Sequence, residues 1–139
     1  YRNPIPPNDR IVIKDSYSAF SVLQAAWDMN KIDLVEEFHI LLLDRANSVL
    51  GLSHIATGSI SSCVADPRII FATALKARAS SLILSHNHPS GNLRPSNADL
   101  EMTRKLVEGG KLLDINVLDH LILTSHSYLS FGDECLMPT

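Results

Sequence analysis

His86 and His88 end a short apolar stretch, Leu82-Ile83-Leu84, with Asn87 between them. In extended backbone alternate side chains share a face, so both imidazoles can converge on one point while Asn87 faces the other way. Neutral imidazoles suit a transition metal, although two histidines at a strand end also serve simply to bond backbone groups. From His88 the chain passes through Pro89-Ser90-Gly91 to Pro95, Ser96, Asn97, Ala98 and Asp99. Asp99 falls in the first turn of an expected helix, where its carboxylate faces the positive end of the dipole and can swing back toward the histidine loop. Two imidazoles, one carboxylate and a free position make a catalytic zinc site, in contrast with a closed four-ligand structural one. Ser-x-x-Asp also has the form of a capping box, which by itself accounts for Ser96 and Asp99. It does not account for an apolar strand that ends in two histidines.

The elements that must carry these groups are legible in outline. Pro4, Pro6 and Pro7 predict an extended start over Tyr1 to Asp15, with Arg10 to Lys14 adding an edge strand. Ser16 or Ser18 caps a helix to about Asn30, with Ala19, Val22, Leu23, Ala26 and Trp27 on one face and Trp27 read as core. Phe38 to Leu43 reads as a buried strand, turned at Arg45-Ala46-Asn47-Ser48 into a second strand, Val49 to Thr57. After Gly58 and a serine-rich loop, Asp66-Pro67 predicts an N-cap with proline at the first helical position, and a helix to about Ala79. Leu82 to Leu84 is a strand, Ser96 to Glu108 a helix ended by Gly109-Gly110, Ile115 to Thr124 a strand, and Tyr128 to Phe131 a short one. Helices and strands interleave around one early hairpin. The fold class expected is therefore α/β (α+β), a mixed central sheet flanked by helices.

Composition bounds the function. The chain has 139 residues, 45% hydrophobic and 19% charged, enough for a buried core without disulfides and incompatible with a mostly disordered chain. Twelve basic against fifteen acidic residues give a net charge of -3, which argues against a strongly basic nucleic-acid-binding domain. No apolar run has the length of a membrane span. Cys63 and Cys135 lack framework spacing, which predicts reduced, partly buried thiols and a cytoplasmic setting.

The order of a glutamate ahead of the first core strand, His-x-His, seven residues, Ser, two residues and Asp is met by Glu36, His86, His88, Ser96 and Asp99. This resembles the motif of the JAMM metalloproteases, or MPN domains. Glu36-Glu37-Phe38, Leu41-Leu42-Leu43-Asp44, His86-Asn87-His88-Pro89-Ser90-Gly91-Asn92, Pro95-Ser96 and Leu118-Asp119-His120 are similar to the RadC-like branch of that superfamily, over roughly Glu36 to Phe131. The resemblance implies an MPN/JAMM-like fold, layered like cytidine deaminases, over residues 31–139, with residues 1–30 as an extended segment and helix packed on it. It implies one Zn2+ per chain held by His86, His88 and Asp99, with water at the open position. It further implies Glu36 as general base and then acid, Ser96 as hydrogen-bond donor to the oxyanion, and a peptide or protein substrate. Glu37 faces the other way from Glu36, so only one of the pair can serve. His120 can orient a ligand or the substrate, or be a strand histidine satisfied within the fold. His39, His54 and His126 have no partners at ligand spacing and read as surface or packing residues. Asn87 and Asn92 shape the loop and receive no chemistry.

Three rival readings are weighed against this one. RadC carries a DNA-repair association, yet the basic residues are spread among acids, and the residues ahead of Glu36 are too few for the helix-hairpin-helix region that RadC-like proteins commonly carry. A zinc deaminase needs His-x-Glu and a later Pro-Cys-x-x-Cys, and neither is present. A non-catalytic MPN scaffold would have lost ligands, whereas all five motif positions are filled.

Overall fold

The computed structural model describes residues 10–58 and 65–138. Within them the order of elements is α1 (Ser16–Ala26), β1 (Glu37–Leu43), β2 (Val49–Thr57), α2 (Pro67–Lys76), β3 (Ser81–Asn87), α3 (Asn97–Leu112), β4 (Asn116–Leu123) and β5 (Tyr128–Ser130). The strands form one mixed sheet in the order β2-β1-β3-β4-β5. β1 runs antiparallel to both β2 and β3, β4 is antiparallel to β5, and β3 is parallel to β4. A parallel step cannot be closed by a tight turn, so α3 supplies the crossover.

The apolar run Ile40 to Leu43 within β1 follows from burial on both faces. Phe38, Ile40 and Leu42 join Leu82 and Leu84 of β3 in a core under α2 and α3, with Ile70, Phe71, Ala74 and Leu106. The alternate residues, Leu41 and Leu43 with Ile83, join Leu121 and Leu123 in a second core under α1, with Phe20, Leu23, Trp27 and Ile32. Trp27 is thus a core residue, as its place in the helix pattern suggested. The same parity sends His86 of β3 and His120 of β4 to the α3 face.

Several local boundaries differ from the sequence expectation. The α1 cap is Asp15, which accepts from the Ser18 N–H while Ser18 Oγ accepts from the Asp15 N–H; neither Ser16 nor Ser18 is the N-cap, and the helix stops at Ala26. α2 opens on Asp66 and Pro67 as expected, but ends at Lys76 rather than near Ala79. The Arg10 to Lys14 edge strand reduces to a single bridge, Val12 to Ser48. The turn between β1 and β2 is held by Asp44, whose Oδ1 accepts the Ala46 and Ser48 N–H groups, with Asn47 in the left-handed region at φ 59°. Cys135 is exposed rather than partly buried, while Cys63, the serine-rich loop after Gly58 and the proline-bearing start lie outside the described residues.

Gly109 and Gly110 do not end α3; the helix runs through them to Leu112. Their role is close approach. A Cβ on Gly110 would lie 2.3 Å from the Ile115 carbonyl oxygen, and one on Gly109 would lie 3.0 Å from the Phe71 ring. The obstacle at Gly110 is backbone and cannot yield by rotating a side chain. Gly110→Ala is therefore expected to cost about 1–3 kcal/mol through overpacking, read as a lower urea midpoint with an unchanged m value.

Candidate metal centre

β3 is flanked by β1 and β4 and carries His86 as its next-to-last residue, paired with Phe38 on one side and Ile122 on the other. His88 lies just past the strand, its N–H donating to the Leu123 carbonyl at 2.9 Å, which extends the β4 pairing by one bond. The turn to Gly91, at φ 83°, then leads round to Ser96. Ser96 and Asp99 form the reciprocal capping box: Asp99 N–H donates to Ser96 Oγ at 3.1 Å, and Ser96 N–H to Asp99 Oδ2 at 2.8 Å. This bonding points the Asp99 carboxylate back at the histidines. Capping and ligation are therefore compatible in one side chain.

His86 Nε2 and His88 Nε2 are 3.0 Å apart. Asp99 Oδ1 is 3.4 Å from His86 Nε2, and Oδ2 is 3.5 Å from His88 Nε2. Metal–ligand bonds of about 2.0–2.1 Å at a tetrahedral vertex separate neighbouring donors by roughly 3.3 Å, close to these spacings, and one donor atom from each of the three residues lies within 4.8 Å of the other two. His86 and Asp99 side chains are 0% and 1% exposed, whereas that of His88 is 13% exposed and opens the group toward solvent. His88 Nδ1 donates to the Asn92 carbonyl, leaving Nε2 as the donor atom. His86 Nδ1 lies 2.7 Å from His120 Nε2, and His120 Nδ1 lies 2.6 Å from Thr103 Oγ1. The donor set, its spacing and its supporting bonds fit a divalent metal such as zinc.

The electrostatics agree. Burial would raise the Asp99 carboxyl, but the His86 and His88 imidazoles and the Ser96 N–H hold it ionised, well below the usual carboxylate range. Burial lowers His86 and, more strongly, His120, so both are held neutral. Burial also acts to lower His88, but Asp99 and the Asn92 carbonyl outweigh it and its value rises.

Glu36 directly precedes β1 and is half-buried, and its charge reaches both His86 and His88. Asn87, on the other face of β3, holds it there: Asn87 Nδ2 donates to the carbonyls of Ile32 and Val35 at 2.8 Å each, and Oδ1 accepts the Glu37 N–H at 2.7 Å. Asn87 thus grips the backbone on both sides of Glu36, a role the sequence reading did not give it.

Glu37 turns to the α1 face, where its Oε1 meets His39 Nε2 at 3.0 Å. His39 and His54, read from the sequence as lacking ligand partners, lie with Glu37 in a second group whose donor atoms are within 4.8 Å of one another. The hairpin brings them together across strands, which spacing along one strand cannot show. The two rings stack with centroids 4.7 Å apart and planes within 2°, and the Trp27 ring lies against His39 at 4.1 Å, tilted by 37°. Parallel rings do not aim lone pairs at one point. In contrast, the His86 and His88 rings are tilted by 57°. His126 is exposed, as expected. No helix among the described residues is long and apolar enough to cross a membrane.

The comparisons with known proteins agree with this geometry. A family model for the RadC-like JAB domain matches residues 10–136. A UPF0758 protein of Thermosynechococcus vestitus is 42% identical over 129 residues, covering 91% of this chain and 50% of that protein. One of Flavobacterium johnsoniae is 44% identical over 99 residues, covering 71% of this chain and 43% of that protein. One of Finegoldia magna is 48% identical over 96 residues, 69% of this chain and 43% of that protein. The chain thus spans about half the length of these relatives or less. With the mixed sheet, the His-His-Asp group and matches of this extent in agreement, the chain belongs to the RadC-like JAB domain family.

Proposed function

We propose that this domain is a zinc-dependent hydrolase of amide or isopeptide bonds in peptide or protein substrates, working in the cytoplasm. The observation that carries the reading is the convergence of donor atoms from His86, His88 and Asp99 at one place, which opens toward solvent at His88. Zinc, when bound, would supply Lewis acidity, polarising a carbonyl and lowering the pKa of water to about 7.

Glu36 acts as the general base: its carboxylate accepts a proton as the water oxygen bonds to the scissile carbonyl carbon. As the C–N bond breaks, Glu36 returns that proton to the leaving amine. Its attachment through Asn87 to the histidine strand supports this role, because proton transfer needs a fixed short path. Ser96 Oγ accepts from the Asp99 N–H, so its own hydrogen is available to the developing oxyanion. Ser96 is exposed beside the buried Asp99, which leaves its hydroxyl accessible to an incoming substrate.

Ser96→Ala is expected to cost about 1 kcal/mol of stability through the lost cap and roughly 10²–10³ in kcat through the lost donor. Ser96→Thr, which keeps a hydroxyl at the cap, should retain most of both; kcat, KM and Tm measured together separate the two effects. The reading as a whole is tested with quenched fluorogenic peptide libraries and isopeptide-linked conjugates. Cleavage should require zinc, stop on chelation and be lost in Glu36→Gln. Absence of any cleavage above the Glu36→Gln background across those substrate classes would overturn it.

A further inference from the structure

We infer that Asp119 is a positioning residue for His86: it ties the end of β5 to β4, which holds Phe131 against the His120 ring and so fixes the ring of His86 next to it. The inference rests on the reading of His86, His88 and Asp99 as a metal site. Asp119 touches neither metal nor substrate, and the proposed hydrolysis leaves the Leu118-Asp119-His120 segment without a task.

β5 has three residues and lies at the edge of the sheet, so its own ladder bonds hold its end weakly. Phe131 follows it directly, is fully buried, and lies on the His120 ring with centroids 4.6 Å apart and planes 22° apart. The Asp119 carboxylate secures the chain on both sides of Phe131. Its Oδ1 accepts the His120 N–H at 2.7 Å and the Gly132 N–H at 2.9 Å, and its Oδ2 accepts the Ser130 hydroxyl at 2.5 Å. Two of these donors are backbone N–H groups. The third, Ser130 Oγ, accepts the Asp133 N–H at 3.1 Å and keeps its own hydrogen for the carboxylate. Bonds of this kind to a carboxylate are roughly twice as strong as neutral ones. The Phe131 N–H adds a bond to the His120 carbonyl at 2.9 Å.

From Phe131 the packing reaches the metal site in two steps. His120 has Phe131 stacked on it and Phe38 edge-on to it at 5.9 Å. Its ring meets that of His86 edge-on, with centroids 4.8 Å apart. All four rings are buried, so none can turn unless a neighbour gives way. A loosened Phe131 gives His120 room to turn, and His86 with it. The aim of His86 Nε2 toward His88 and Asp99 then spreads over a range of angles.

The test compares Asp119→Ala, Asp119→Asn and Phe131→Leu with wild type at one pH. Zinc affinity is measured by competition with a chromophoric chelator, Tm on the metal-free protein, and the imidazole ring signals by aromatic proton–carbon NMR without metal. The asparagine keeps an oxygen for the two N–H groups and offers Ser130 Oγ an amide hydrogen, so it places Phe131 as the aspartate does. Asp119→Ala and Phe131→Leu should each weaken zinc binding roughly 10-fold and shift or broaden the His86 and His120 signals, while Asp119→Asn stays close to wild type. A clamp that serves stability alone would lower Tm in Asp119→Ala and leave the zinc affinity of the folded protein unchanged, which overturns the inference. Asp119→Asn losing as much affinity as Asp119→Ala also overturns it, because charge rather than placement would then be at work. If Asp119→Ala does not fold, Phe131→Leu decides: wild-type affinity and wild-type His86 signals overturn the inference, and loss of both supports it. Wild-type protein that binds no zinc at all would instead overturn the metal reading, and the His86 signals of the metal-free variants would still decide the positioning.

Discussion

His88→Ala is expected to leave the protein folded and unable to hold zinc, while wild type takes up about one ion per chain. His88 is the better position to cut. His86 is fully buried, stacked near Phe38 and bonded to His120, so truncating it opens a cavity in the core and confuses ligation with folding. His88 lies at the rim of the site, with part of its side chain exposed. Its loss removes one of three donors and leaves both cores intact. Zinc at a hundredfold excess over Kd should stabilise wild type by about 2.7 kcal/mol, a Tm rise on the order of 10 °C. The variant should show no such rise and no metal by elemental analysis after gel filtration. Equal metal content in the two proteins, whether zero or one, would remove the basis of the hydrolase reading.

Glu36→Gln is expected to keep the metal and lose turnover by roughly 10²–10⁴, the usual worth of a positioned acid-base group. The neighbouring Glu37→Gln provides the contrast. Glu37 is buried on the α1 face against His39, so its substitution weakens a buried pair beneath Trp27 and should leave turnover nearly unchanged. Measuring zinc content, turnover and Tm in the two variants assigns the base. Loss of turnover in Glu37→Gln with activity retained in Glu36→Gln would reverse the assignment.

What could be read in advance and what could not divide along a physical line. The β1 run, the turn at Arg45 to Ser48, the cap at Asp66-Pro67 and the Ser96–Asp99 box depend on residues close in sequence, and all stand in the structure. So does the shared face of the histidines, because strand parity alone dictates it. The features that escaped notice depend on a partner elsewhere in the chain. Gly109 and Gly110 look like a helix stop until Phe71 and Ile115 are seen pressing against them. Glu37, His39 and His54 meet only after β1 and β2 pair. Thr103 looks like an ordinary helical threonine, and nothing in its spacing reveals the His120 nitrogen 17 positions away. The α1 cap was missed for a smaller reason: three candidate oxygens, on Asp15, Ser16 and Ser18, crowd one turn, and the choice among them rests on backbone angles.

The grip of Asn87 on the peptides around Glu36 has a mechanical consequence. The peptides beside Glu36 are tied to the strand that carries His86, so the acid and that imidazole are expected to shift together rather than separately. Loosening that single amide should blur the alignment of Glu36 with His86 without unseating either histidine or Asp99.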